Sequence, residues 1–210
     1  MYRHLDKLLA EAKKRVRAEF NYFGTLGFDE LNVVNTKKAT EEAFDRLLAE
    51  NEEMYTRVAK NAYKKAVKTA EGEEKTEDFA SLVETVLLGY NLVTGYLYKK
   101  EAERKRLRLN EQILTAREYN NRQMYNDSLR RTANLWWTQT TQYGISIVDE
   151  ATIKGFKDSG VRFVRWVAAD DDRTCATCNG RDGVVYKITK IPPKPHYGCR
   201  CYIEPVREEE

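Results

Sequence analysis

Between Arg3 and Tyr22 apolar residues recur at three- and four-residue intervals: Leu5, Leu8, Leu9, Ala12, Val16 and Phe20. That spacing draws one apolar stripe along a helix and leaves the rest of its surface charged. Gly24 and Gly27 end it. A second helix is expected over residues 37–70, N-capped by Asn35 or Thr36. Its approximate stripe is Ala43, Leu47, Met54, Val58, Ala62 and Val67, with Phe44, Leu48 and Tyr55 beside it. Such a helix makes a rod of about 50 Å, which needs another helix or a partner protein to lie against. Residues 71–75 break it, and Thr76-Glu-Asp-Phe79 reads as a fresh N-terminus for a short helix over residues 77–88. After an interruption at residues 89–95, a long charged helix is expected from Tyr96 to at least Tyr119. Another covers residues 121–143, through Met124, Leu129, Ala133, Trp136, Trp137 and Thr140, and a last short one covers residues 147–157. Trp136 and Trp137 diverge by about 100° on a helix, so they cannot both face one core. The plainer reading packs both in the core at different elements; the sharper one buries one and leaves the other to cover an intersubunit or interdomain contact.

After Gly160 the pattern changes. Residues 161–167 are β-branched and aromatic and read as a strand, residues 184–186 as a second, and Cys201 to Ile203 as a third. The four prolines are Pro192, Pro193, Pro195 and Pro205, so the chain ahead of them is free of helix breakers of that kind. The fold class is therefore α+β. An elongated, mostly helical N-terminal body over residues 1–160 precedes a small β-rich module over residues 161–210. No internal repeat stands out.

Charged residues make up 33% of the 210 and apolar ones 41%, which suits long helices with thin cores. The net charge of +3 argues against a dedicated nucleic-acid binder. Locally, Lys99, Lys100, Arg104, Lys105, Arg106 and Arg108 gather six positive charges around Glu101 and Glu103. On a helix Glu101 meets Lys105 and Glu103 meets Arg106 or Leu107, so part of that charge is paired and the segment reads first as a solvated face. The sharper reading is a contact with DNA phosphates or an acidic partner. No run of 18 apolar residues exists, and the N-terminus has no signal-like apolar stretch, so the expected compartment is a reducing cytoplasm.

All four cysteines fall near the C-terminus, as Cys175-Ala-Thr-Cys178 and Cys199-Arg-Cys201, with His196 three positions before Cys199. Two such clusters are how a short chain surrounds one tetrahedral ion, and thiolate with imidazole suits zinc. Five donors compete for four places. Cys175 and Cys178 are the surest, and His196 with Cys199 is favoured because H-x-x-C mirrors C-x-x-C. Cys201 is the alternative ligand, giving a four-cysteine site with His196 beside it. A closed set leaves no vertex for water, so the ion is expected to be structural, stapling a segment with too little core of its own. In an oxidising compartment the same cysteines would form two bridges instead.

Enzymatic readings are weak. His4 and His196 are the only histidines, too few for a ββα-metal nuclease, and His4 reads as a solvated helix residue. No phosphate loop, G-x-S-x-G elbow or H-E-x-x-H motif occurs. The run Asp170 to Asp172 reads as a solvated turn.

The terminal string has an acidic-Arg-Thr lead into Cys175-Ala-Thr-Cys178, then Asp182-Gly183. A proline-rich approach follows to His196-Tyr-Gly-Cys199-Arg-Cys201 and a closing Pro205. Over residues 160–206 it resembles the C-terminal domain of phage Mu protein F-like head-morphogenesis, or minor head, proteins. That resemblance implies a non-enzymatic minor head protein of a tailed bacteriophage, few in copy, linked to head assembly, DNA packaging and ejection. The partners it implies are the portal protein, then capsid or scaffold protein and packaged DNA in non-specific contact, with no membrane in the assembly phase. It places the protein in the host bacterial cytoplasm during assembly and then in the virion interior near the portal vertex. Relatives ending in Cys-Arg-Ser imply that Cys199 is the ligand and Cys201 dispensable. The alternative is a nucleic-acid-binding protein with a C-terminal zinc ribbon and the basic helix on phosphate.

Overall fold

A computed structural model describes residues 3–75, 78–89, 97–169 and 174–206. Among these are five α-helices ahead of a small C-terminal sheet: α1 (Arg3–Thr25), α2 (Val33–Thr69), α3 (Phe79–Leu88), α4 (Tyr98–Glu118) and α5 (Arg122–Asp158). The sheet is β1 (Phe163–Val167), β2 (Val185–Lys187) and β3 (Tyr202–Pro205), with a one-turn helix α6 (Ala176–Asn179) between β1 and β2. The α+β expectation holds in this form, a mostly helical body followed by a three-stranded antiparallel sheet that carries the Cys and His cluster. Among the described residues no helix is long and apolar enough to cross a membrane.

All six residues of the expected α1 stripe are buried. Along α2, Ala43, Phe44, Leu47, Met54, Tyr55, Val58 and Val67 are buried as well. The start of α2 differs from its expectation, coming four residues earlier than Lys37. Asn32 Oδ1 accepts from the Val34 and Asn35 N–H groups at 3.0 and 3.1 Å, and Asn35 Oδ1 accepts from Asn32 N–H at 2.8 Å. This is a reciprocal capping box with asparagine at both ends, satisfying donors that the first turn cannot. Asp78 Oδ1 caps α3 by accepting from Ser81 N–H at 2.9 Å. Thr76, Glu77 and Tyr96, expected at helix starts, lie outside the described residues, as do Asp170 to Asp172.

The larger difference is α5. The two helices expected over residues 121–143 and 147–157 are one helix of 37 residues, running straight through Gly144. A Cβ on Gly144 would stand 2.9 Å from Leu5 Cδ1, so the residue that looks like a breaker is a packing notch. α5 ends in a Schellman turn. Gly160, at φ +80, donates to Lys157 O at 3.0 Å and Val161 N–H donates to Phe156 O at 3.0 Å. Here the sequence texture changes too.

The chain folds as two compact units. One comprises Met1–Asp6, Tyr55–Val86 and Gly144–Glu210, the other Lys7–Met54 and Leu87–Tyr143. In the second unit Trp136 is fully buried between Phe44, ring centroids 5.2 Å apart, and Tyr98. Trp137 is half-buried, under Lys13 at 5.4 Å, so the two tryptophans do diverge. A buried amide ties three helices there: Asn51 Nδ2 donates to Tyr98 Oη at 3.0 Å and to Thr140 Oγ1 at 3.1 Å.

The first unit holds the sheet. β1 lies between β2 and β3, with Val164 opposite Tyr186 on one side and Trp166 opposite Ile203 on the other. Its alternation puts Val164 and Trp166 inward, where they join Phe156, Ala66, Ile188, Ile203 and the cysteines in one apolar cluster. The cysteines are part of this core.

Candidate metal centre

Two turns present the donors. In the first, Cys175 is the N-cap of α6 and its sulfur accepts from Cys178 N–H at 3.4 Å. One helical turn brings the i and i+3 thiols to the same side. In the second, Cys199 N–H donates to His196 O at 3.4 Å across Tyr197 and Gly198, with Gly198 at φ +69. Only glycine holds that left-handed conformation without a Cβ penalty, so it closes the H-x-x-C turn. Between the turns, the reversal expected at Asn179-Gly180 or Asp182-Gly183 occupies residues 180–183, and Gly183 N–H donates to Trp166 O at 2.9 Å. Asp182 Oδ1 accepts from Ala168 N–H at 2.8 Å, which fixes the loop to the end of β1.

The side chains converge. Cys178 Sγ lies 3.6 Å from Cys199 Sγ and 3.8 Å from His196 Nε2. A tetrahedron with metal–sulfur bonds of about 2.3 Å has edges of about 3.8 Å, so these separations match an ion at its centre. All four cysteines are free thiols. The donors form two triads, Cys175 with Cys178 and His196, and Cys178 with Cys199 and Cys201, each with its ligand atoms within 4.8 Å of one another. Cys178 belongs to both. The cluster of four cysteines and a histidine can bind a metal such as zinc.

His196 is already set for that role. Its Nδ1 lies 2.8 Å from Tyr197 O, an acceptor only, so Nδ1 carries the proton and Nε2 faces the thiols with its lone pair. The Cys178 N–H lowers the Cys175 thiol to about 7, at the more exposed end of the cluster. Burial pushes the Cys178 thiol up, and its contacts with Cys201, Cys175 and Cys199 add to the effect. Burial also raises Cys199, against the pull of Lys194. Packed thiols in an apolar core resist ionising, and a divalent cation among them reverses the sign of that cost.

Lys194, which nothing in the sequence pattern singles out, supports the second turn. Its ammonium donates to Cys199 O at 3.2 Å and to Cys201 O, and pairs with Asp149 of α5 at 3.1 Å, both side chains mostly buried. Lys194→Met keeps the stem and removes the charge. We expect urea unfolding to show a loss of about 1–3 kcal/mol, against under about 1 kcal/mol for the exposed pair of Arg200 with Asp6 when Arg200→Ala breaks it.

The other candidate site is dispersed. On α4, Lys105 pairs with the buried Glu101 and Arg106 with both Glu103 and Glu41, at 3.1 Å or less. Lys99 reaches Glu52 at 3.4 Å and Arg104 reaches Glu101 at 3.9 Å, while Lys100 and Arg108 are exposed. Desolvation lowers the Lys105 ammonium despite its partner. Four of the six cations thus have carboxylates beside them. His4 is exposed, with Nε2 at 2.5 Å from Asn61 Nδ2. No family model matches this chain, nor does any curated protein or solved structure, so the chemistry of the centre stands on its own atoms.

Proposed function

We propose that this chain is a non-enzymatic minor head protein of a tailed bacteriophage. Its helices bind the portal or inner capsid, and its C-terminal module is held by a structural zinc ion. What carries the reading is the ordered series of short motifs from Cys175 to Pro205, in which the thiol pairs, Asp182-Gly183 and the proline-rich approach to His196 come in the minor-head order. The donor set supports the zinc part. Two triads of soft donors share Cys178, the inner one within an apolar core, and together they offer more ligands than a tetrahedral ion takes, which leaves no vertex for a reacting water and suits a staple. A hydrolytic role would need bases beyond the two histidines, one of them inside the cluster.

On this reading the protein acts in the host cytoplasm during procapsid assembly and ends inside the head near the portal vertex. The rival reading, a zinc-ribbon nucleic-acid binder, loses weight from the carboxylates that pair the α4 cations. Sedimentation of the full chain with portal rings of the phage that encodes it separates the two. Co-sedimentation that persists from about 0.05 to 0.2 M salt supports the proposal. Indifference to the ring, with duplex-DNA affinity falling steeply over that range, overturns it.

A further inference from the structure

The cluster offers more donors than a tetrahedral ion accepts, and burial sorts them. Cys178, Cys199 and Cys201 are 1%, 2% and 2% exposed, lie in one triad and belong to the apolar core. Cys175 and His196 are half-buried, on the open side of the cluster, in the triad that shares only Cys178 with the inner one. Each outer donor is held by its own local bond, Cys175 by the Cys178 N–H and His196 by Tyr197 O, and neither bond depends on the other. Structural zinc is four-coordinate, so the inner three leave one vertex and two prepared claimants. Resting on the zinc reading above, we propose that Cys178, Cys199 and Cys201 are constant ligands, and that Cys175 and His196 alternate at the fourth vertex.

Several consequences differ from a fixed Cys175, Cys178, His196, Cys199 set. Cys201 becomes indispensable, since it supplies an inner sulfur. Either outer donor can be lost alone, because the other takes its place. The donor left out at any moment stays near the ion, ready to displace its rival, and such stepwise exchange speeds transfer of the ion to a competing chelator. A closed set of four lacks that route.

The test loads the full chain with Zn²⁺, removes excess, and measures metal per chain alongside far-UV circular dichroism. The proposal expects one equivalent in the wild type, in Cys175→Ser and in His196→Ala, and loss of the ion in Cys201→Ser and in the double variant Cys175→Ser/His196→Ala. Retention by Cys201→Ser with loss in either outer single variant overturns it. Two equivalents in the wild type also overturn it, since each triad would then hold an ion bridged by Cys178. A wild type that binds no Zn²⁺ defeats the zinc reading itself, a distinct outcome. Should Cys201→Ser fail to fold, alkylation of the zinc-loaded wild type decides without a variant. Mass mapping should find Cys178, Cys199 and Cys201 protected until chelator is added and Cys175 partly labelled. Protection of Cys175 together with labelling of Cys201 refutes the proposal.

Discussion

Trp166→Ala should cost the C-terminal module roughly 3–5 kcal/mol, the range for truncating a fully buried aromatic. Trp166 is 2% exposed and contributes the largest side chain of the cluster that includes the cysteines. Its main chain is bound along one edge to the 183–184 segment, N–H to Val184 O and C=O from Gly183 N–H, and β3 pairs along the other edge, so the strand cannot collapse into the void. Arg181 also stacks over the ring at 5.3 Å and would lose that contact. The companion variant makes the cause testable. The indole N–H is buried and meets no acceptor among the described residues, so Trp166→Phe sheds an unsatisfied donor while keeping most of the bulk. We expect it to cost about 1–2 kcal/mol. Urea unfolding followed by near-UV circular dichroism compares the two; equal losses would mean that ring bulk is not the source.

The second large effect is expected at Gly155. A Cβ there would stand 2.8 Å from Ala66 Cβ and 2.9 Å from Tyr63 O, so α5 touches the backbone of α2 in this unit. Alanine raises helix propensity by about 1 kcal/mol, but the carbonyl and the short Ala66 side chain cannot move aside without parting the helices. Overpacking of this kind costs about 1–3 kcal/mol, at times more. A net loss of about 1–2 kcal/mol is expected for Gly155→Ala, since the rigid contacts put the strain at the upper end of that range. Gly144→Ala is the control on the same helix. Its clash is with the end of the Leu5 side chain, which can rotate, so propensity should offset the strain and leave stability near that of the wild type. Thermal unfolding of the pair reads this directly, and indistinguishable midpoints would refute the close-contact account.

Sequence predicts structure well here wherever one physical signal dominates. Stripes at helical spacing locate α1 and α2, and the shift to β-branched and aromatic residues locates β1, because burial of one face is what these patterns record. It fails where a residue serves two ends. Gly144 reads as punctuation, since a glycine that breaks a helix and one that lets a neighbour approach look alike without the neighbour. Asn32 does not stand out as a cap because its partner in the box is Asn35 and not the usual Glu or Gln. The metal donors are legible as a group but not as an order. A C-x-C pair in extended chain directs both side chains to one side, which is the available sign that Cys201 joins Cys199 in the cluster. Spacing cannot say which donors lie deep, since burial comes from β1 and α5 packing over them. Lys194 carries no sequence signal, as its partners are two carbonyls and a carboxylate 45 residues away.

The amide of Asn51 has a consequence of another kind. An apolar helix face is nearly self-similar under a slide of one turn, about 5.4 Å, so hydrophobic packing alone tolerates staggered assemblies of similar energy. Asn51 bonds Tyr98 and Thr140 at a single depth, and any stagger strands the amide among hydrocarbon. That one side chain acts as an indexing pin. It adds little to the attraction between α2, α4 and α5, yet it selects one alignment from the several that their stripes would allow.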